Sequence, residues 1–223
     1  MNSPSKPKKL GLVHTSATLV PVFQKLCSAE LPGVETFNIV DDSLIKDVIA
    51  RGELTAKTAR RVVDHIASAE AAGADLILVT CSSIGRAVEA AANLVSVPVL
   101  RVDQPMADQA VRTGKKIGVV ATLTTTLLPT ADLIQRRAAA AGKEVEITTR
   151  LCEGAFDALM SGDAAKHDAM VAAALKELAA RVDVIVLAQA SMARVVEGLR
   201  EADKRVPILA SPPIAVKHLA TLF

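Results

Sequence analysis

The chain has 223 residues, of which 51% are hydrophobic and 22% are charged, and its formal net charge is +2. Aromatic residues make up only 2% of the sequence, and no basic block stands out beyond Lys6, Lys8 and Lys9. This composition excludes nucleic-acid binding by base stacking or by a charged stripe. No apolar run reaches the roughly 20 residues that a membrane-spanning helix needs, so no membrane partner is expected.

The basic first segment, Met1–Pro7, is interpreted as a disordered tail. The apolar segment after it is interrupted by polar residues and has no clear cleavage site, so a signal peptide is not predicted. The three cysteines, Cys27, Cys81 and Cys152, are scattered and form no metal-ligand spacing. They indicate a reducing, cytoplasmic setting and no metal site.

Apolar runs and amphipathic segments alternate along the first half of the chain. The predicted strands are 9–14, 34–40, 75–80 and 97–102. The predicted helices are 18–29, a short one that opens at 41–43 and ends near 52, and then 55–72, 83–93 and 105–113. Strands that read as continuous apolar runs between helices are typical of parallel sheets covered on both faces.

The second half of the chain repeats this pattern. Lys116–Ile134 resembles Lys9–Leu26, and Val182–Leu199 resembles Ala74–Ala92, at offsets of 107 and 108 residues. The repeat predicts two similar Rossmann-like α/β halves, 8–113 and 114–223. We expect a pseudo-twofold axis to relate them and the ligand site to lie in the cleft between them, because open α/β sheets bind ligands at the carboxyl ends of their strands.

Four of these strand ends are short, rich in hydroxyl groups and followed at once by a helix. Free backbone N–H groups and hydroxyls at a helix amino end favour an anion, so a small-molecule carboxylate is the expected partner. The candidate ligand-binding residues at these ends are Thr15, Ser16, Thr80, Ser82, Ser83, Thr122, Thr124, Thr125, Gln189, Ala190 and Ser191. For the hydroxyl residues, helix capping is the alternative role.

Cys81 lies at the end of the third strand and at the start of a helix, a position that lowers the pKa of a thiol and supplies thiolate. The alternative is that Cys81 is a buried apolar residue with a structural role. Its counterpart in the second half is Gln189, 108 residues later. The first strand ends at His14, whose counterpart is Ala121, and an imidazole changes its charge closest to neutral pH.

The duplicated halves, the sequence VTCSS at 79–83 and the paired strands that contain Pro98 and Pro207 resemble the aspartate/glutamate racemase superfamily. That superfamily includes hydantoin and allantoin racemases, maleate isomerases and arylmalonate decarboxylases. The resemblance implies enzymes that need neither pyridoxal phosphate nor a metal, and hence no cofactor. It also implies two cysteines, one from each half, that flank the substrate α-carbon, while N–H groups and hydroxyls hold an enediolate.

On this resemblance, Cys81 is the catalytic base or nucleophile. Gln189 departs from the two-cysteine pattern, because an amide has no proton to exchange near neutral pH. The second proton would then come from His14, from Cys152 or from water, and His14 is taken as the second catalytic candidate.

The function we predict is a cofactor-independent isomerase or racemase that acts at the α-carbon of a small carboxylic acid or cyclic imide. One alternative is a decarboxylase or cis–trans isomerase that uses a single thiol. Another is a degenerate, non-catalytic protein that binds a small acid. A homo-oligomer is also expected.

Overall fold

The computed structural model describes residues 8–223, apart from the side chains of Glu197 and Ala202. The predicted tail Met1–Pro7 lies outside the described residues. Eight strands form two parallel four-stranded sheets. Helices connect these strands, which confirms the predicted α/β class.

The strands of the first sheet are β1 (Lys9–His14), β2 (Glu35–Val40), β3 (Leu76–Val79) and β4 (Val99–Arg101), in the order β2-β1-β3-β4. Those of the second sheet are β5 (Lys116–Ala121), β6 (Glu146–Leu151), β7 (Val184–Leu187) and β8 (Ile208–Ala210), in the order β6-β5-β7-β8.

The helices are α1 (Leu19–Glu30), α2 (Ser43–Arg51), α3 (Ala56–Ala71), α4 (Gly85–Ala91), α5 (Gln104–Thr113), α6 (Thr124–Ala140), α7 (Ala155–Met160), α8 (Ala164–Leu178), α9 (Ala193–Gly198) and α10 (Ser211–Leu219). Short 3₁₀ turns cover Ser82–Ile84, Ala190–Met192 and Glu201–Asp203. Among the described residues, no helix is both long enough and apolar enough to cross a membrane.

The two sheets share one strand order and one register. In the first sheet Lys9 pairs with Glu35, and in the second Lys116 pairs with Glu146. The third strand of each half joins the first strand at its second residue, Leu10 in β1 and Ile117 in β5. The repeat in the sequence therefore reflects a repeat in structure, and the prediction of two similar halves is confirmed.

The cores divide the chain at different residues from the sequence repeat. One compact unit contains the described residues up to Val102 together with Ala215–Phe223, and the other is Asp103–Ile214. In the first unit, Ala215, Val216 and Leu219 of α10 pack with Leu12 and Phe23. The last helix of the chain therefore completes the first core.

The core of the second unit contains α5, the helix that follows the last strand of the first sheet. Met106, Ala110 and Val111 of α5 pack with Val119 of β5 and Ile134 of α6. Helix α5 follows the last strand of the first sheet in sequence, yet its apolar face is buried in the second unit. Burial of that face, rather than proximity along the chain, decides the unit to which the helix belongs.

Candidate functional site

The turn after β3 positions Cys81. Thr80 and Cys81 link the strand to the 3₁₀ turn Ser82–Ile84, and α4 begins at Gly85. Cys81 is partly exposed, whereas the other two free cysteines, Cys27 and Cys152, are buried. Among the three thiols, Cys81 is therefore the one that solvent and small molecules reach.

Gln189 occupies the same place in the second unit. Its backbone has φ −131° and ψ 137°, against φ −134° and ψ 121° for Cys81, and each residue precedes a 3₁₀ turn that leads into a short helix. A side chain at either position therefore leaves the backbone in a similar direction.

The side chain of Gln189 is held by the neighbouring strand end. Its Oε1 accepts hydrogen bonds from the backbone N–H of Thr122 at 2.6 Å and from the Thr122 hydroxyl at 3.0 Å. Both bonds use the carbonyl side of the amide. Within the described chain, the Nε2 group has no hydrogen-bond partner, so two donors remain available.

His14 is fully buried at the end of β1, and its ring packs against Phe23 with centroids 5.7 Å apart. Its Nδ1 lies 2.9 Å from the hydroxyl of Thr80, and its Nε2 lies 2.9 Å from Oδ1 of Asn38. Burial lowers the pKa of His14, and the hydrogen bond to Asn38 opposes that effect only in part. The imidazole is therefore neutral near pH 7.

The structure brings the predicted residues together in two pairs, His14 with Thr80 and Thr122 with Gln189. The hydroxyl of Ser16 bonds instead to that of Thr18, at 2.8 Å. The side chains of Thr15, Ser82 and Ser83 are buried, those of Thr125 and Ala190 are partly exposed, and those of Thr124 and Ser191 are exposed.

None of these candidate hydroxyl residues stands at the N-cap position of the helical turn that follows its strand. The residues at the N-cap positions of the two 3₁₀ turns and of α6 are Cys81, Gln189 and Leu123, and none makes a side-chain cap hydrogen bond. In the described chain, the hydroxyl of Thr125 is buried and has no hydrogen-bond partner. An unpaired buried hydroxyl is costly unless a ligand or a water completes it.

Two features of the Cys81 turn have no signal in the linear sequence. The first is Asn38 of β2, which reaches His14 because Leu12 and Asn38 are register partners. The second is Arg101, a side chain only 3% exposed, whose Nη1 lies 2.5 Å from Glu89 of α4. A buried arginine on a short strand has no periodicity that predicts its partner.

Cys152 and Asp41 occupy equivalent positions. The backbone N–H of Asp41 bonds to the carbonyl of His14, and that of Cys152 bonds to the carbonyl of Ala121. Burial raises the pKa of the Cys152 thiol, although the charge of Arg150 opposes this. Cys152 is therefore protonated near neutral pH and is a weaker candidate for the second thiol.

Asp41 is the acceptor at the centre of a polar cluster. It receives hydrogen bonds from Ser43, Arg61 and His65, the last two at 2.6 and 2.8 Å. Burial alone would raise the pKa of Asp41, but the hydrogen bonds of Ser43 and His65 and the charge of Arg61 lower it to about 2. The cluster ties the end of β2 to α3.

Replacement of Asp41 by asparagine is expected to lower the free energy of unfolding by about 2 kcal/mol at pH 7. A depressed pKa in the folded state stabilises the protein above the ordinary carboxyl pKa, and this contribution is lost as the pH falls from about 4 to about 2. Urea denaturation of Asp41→Asn and wild type across that range measures the difference. Exposed Asp42 supplies the control, because Asp42→Asn should change stability by less than about 0.5 kcal/mol.

A cavity of about 340 Å³ lies away from these strand ends, beside the first residues of β5 and β6. It is lined by Val111, Arg112, Gly114, Lys115, Lys143, Glu144 and Val145. The described residues contain no group of three or more side chains of histidine, cysteine, aspartate or glutamate arranged to hold a metal ion.

The family model described as Asp/Glu/hydantoin racemase matches residues 10–219 of the chain. The comparison with curated proteins found no match. A glutamate racemase isoform from Bacillus anthracis is 18% identical, with a TM-score of 0.72, over 96% of this chain and 81% of that one.

Two further solved structures have the same fold. An allantoin racemase from Klebsiella pneumoniae is 19% identical over 96% of this chain and 87% of that one, with a TM-score of 0.67. An aspartate racemase homologue from Pyrococcus horikoshii OT3 is 16% identical over 96% and 98% of the two chains, with a TM-score of 0.68. At these identities the likeness establishes the fold alone.

Proposed function

The chain belongs to the Asp/Glu/hydantoin racemase family, and from this membership we propose that it is an isomerase that needs no cofactor and acts at the α-carbon of a small carboxylic acid or cyclic imide. Cys81 is the base. Its thiolate removes the α-proton, and the electron pair passes into the adjacent carbonyl or carboxylate to give an enediolate. Water then returns a proton to the opposite face of the carbon, and the Cys81 thiol loses its proton to the hydroxide left behind, which restores the thiolate.

The observation that carries this proposal is the exposure of one thiol at one strand end. Cys81 is partly exposed in the turn after β3, while Cys27 and Cys152 are buried. Burial raises the pKa of Cys27 to about 11 and also raises that of Cys152. Neither of the buried thiols supplies thiolate near neutral pH, so Cys81 is the best base among the three.

The contacts of Gln189 favour a role in binding an anion, and not a role as the second group that transfers a proton. The side-chain carbonyl oxygen of Gln189 accepts two hydrogen bonds from Thr122, and its Nε2 group has no partner in the described part of the chain. An amide fixed in this way can donate hydrogen bonds to a substrate oxygen that gains negative charge. Fixed donors of this kind stabilise enediolates in enzyme sites. We propose that Nε2 of Gln189 and the hydroxyls of Thr124 and Thr125 hold a substrate oxygen, while Thr122 fixes the orientation of the Gln189 amide.

His14 acts through Thr80 in this proposal. Its ring is fully buried and both of its nitrogens are within hydrogen-bonding distance of protein groups, so it does not meet the substrate directly. It is therefore a positioning residue for Thr80, which precedes Cys81. The predicted cytoplasmic location and the predicted homo-oligomer stay predictions.

A screen of small acids, diacids and hydantoins in deuterated water tests the proposed reaction. Racemisation or isomerisation through an enediolate introduces deuterium at the α-carbon of recovered substrate. If no compound exchanges its α-proton while Cys81 alkylates at the rate of an ordinary thiol, the chain is the non-catalytic acid-binding protein considered from the sequence.

The single exposed thiol favours one alternative, a decarboxylase. In that reaction the bond between the α-carbon and a carboxylate breaks, carbon dioxide leaves, and the resulting carbanion takes one proton. Deuterium would then appear only in the product and never in recovered substrate. The same screen separates this outcome from isomerisation.

Racemisation by Gln189→Cys is expected to be about tenfold or more faster than by Gln189→Ser, because the cysteine places a second proton donor at the equivalent backbone position. The measure is the loss of optical rotation of a substrate found in the screen. Gln189→Ser is the control, since it removes the amide without adding a thiol. Equal rates for the two variants would contradict the expected gain.

A further inference from the structure

Three side chains lie in a row across the first sheet. Leu12 pairs with Asn38 of β2 and with Leu78 of β3, so Asn38, His14 and Thr80 share the face of the sheet on which Leu12 and Leu78 pack. Two hydrogen bonds link this row, one between Asn38 and His14 and one between His14 and Thr80, and each is 2.9 Å long. The row ends at the residue before Cys81.

The chemistry of each partner gives the row a direction. The Oδ1 atom of Asn38 only accepts hydrogen bonds, so the Nε2 atom of His14 that it contacts must carry the proton. In a neutral imidazole the other nitrogen, Nδ1, then has a lone pair and accepts. The hydroxyl of Thr80 therefore donates to Nδ1, and its oxygen keeps its lone pairs for another donor.

The opposite arrangement has a place in the same structure. If Nδ1 carried the proton, the Thr80 oxygen would accept a hydrogen bond from Nδ1–H. The Thr80 hydroxyl would then donate to the carbonyl of Val13, which lies at the longer distance of 3.3 Å. The tautomer of His14 thus determines the use of the single hydroxyl hydrogen of Thr80: when Nδ1 binds this hydrogen, the Thr80 oxygen can only accept from a ligand, and otherwise the hydrogen is free for another acceptor. Within the described chain no charged group pairs with His14, so its hydrogen-bond partners decide the tautomer.

We propose that Asn38 is a positioning residue that fixes the Nε2–H tautomer of His14 and thereby leaves the Thr80 hydroxyl, beside Cys81, able only to accept a hydrogen bond from a ligand. This inference rests on the proposed function, and it narrows the substrate class. A group that only accepts hydrogen bonds suits a substrate with an N–H or O–H donor on or next to its α-carbon.

The tautomer is tested by nitrogen-15 NMR of the four histidine side chains, with His14→Gln used to assign the signals of His14. In wild type near pH 7, we expect Nε2 to be protonated and Nδ1 to be unprotonated. Asn38→Leu, which has a similar shape but no acceptor, should give a mixture of tautomers. Thr36→Val is the matched control on the same face of β2 and should leave the His14 signals unchanged.

A second variant keeps the test decisive if Asn38→Leu fails to fold. Asn38→Asp retains the acceptor and adds a negative charge, so it should keep the Nε2–H tautomer and raise the pKa of His14 by about one pH unit or more. A wild-type His14 protonated at Nδ1, or a tautomer that is unchanged in Asn38→Leu, would overturn the proposal.

Activity separates this inference from the proposed function. With a substrate that carries an N–H or O–H donor, Asn38→Leu should lower kcat/KM in proportion to the molecules that lose the Nε2–H tautomer, about twofold for an equal mixture. A substrate without that donor should be affected much less, and an equal loss for both would refute the acceptor role of Thr80. If Cys81→Ala retains turnover, the proposed mechanism fails, whereas the NMR result on His14 still stands or falls separately.

Discussion

Replacement of Cys81 by alanine is expected to lower turnover by about 10²–10⁴-fold, because it removes the group that transfers the α-proton. KM should change little, since the groups proposed to bind the substrate anion remain in place. The measurement is kcat for a substrate identified by deuterium exchange. Cys81→Ser should be impaired to a similar extent, because a hydroxyl is a far weaker base than a thiolate near neutral pH.

The two buried cysteines provide matched controls for this loss. Cys27→Ala and Cys152→Ala remove thiols that are 3% and 6% exposed, so each should lower stability while kcat of the folded enzyme is retained. Iodoacetamide should label Cys81 alone, and a bound substrate should slow that labelling. Full activity in Cys81→Ala, or loss of activity in Cys152→Ala, would show that a residue other than Cys81 is the base.

Replacement of Gly85 by alanine is expected to destabilise the protein by about 3 kcal/mol, although alanine normally favours a helix. A Cβ at Gly85 would overlap the guanidinium of Arg101. Arg101 is buried and ion-paired with Glu89 at 2.5 Å, so its guanidinium cannot move without leaving a buried charge poorly paired. Displacing a buried charge from its partner costs several kcal/mol. Urea denaturation measures the loss.

The second half of the chain shows how the clash is relieved. Ala193 stands where the first half has Gly85, and Ala210 pairs with Leu187 as Arg101 pairs with Val79. A small residue on the strand thus accompanies alanine at the start of the helix, whereas arginine accompanies glycine. The size of one residue compensates for that of the other.

A double-mutant cycle tests this compensation. Arg101→Ala alone should also be destabilising, because it leaves a cavity and takes away the partner of Glu89. In the Arg101→Ala background, however, Gly85→Ala should cost nothing or should stabilise by up to about 1 kcal/mol, since the methyl group enters empty space and favours the helix. We expect a coupling energy of about 3–4 kcal/mol, which is the difference between the cost of Gly85→Ala in wild type and in the Arg101→Ala background. A coupling near zero would show that the two residues do not share that space.

The repeat and the hydrophobic pattern were sufficient to predict most of the fold. The strand predicted over 9–14 is β1, and the predicted helix over 105–113 is α5 with one added residue. Such elements are predictable because buried strands are apolar throughout and helices repeat every 3.6 residues, and both patterns are local. The destination of α5 is not local, because its apolar face fits a core formed by later residues.

The sequence alone determined the family, the α/β class and the place of Cys81 at a strand end, since each depends on residue order or on a local period. Only the tertiary structure decided what surrounds that thiol. His14 meets Thr80 and Asn38 across 66 and 24 residues, and Gln189 meets Thr122 across 67. Contacts across such separations depend on strand register and on the space between side chains, which no local pattern in a single sequence specifies.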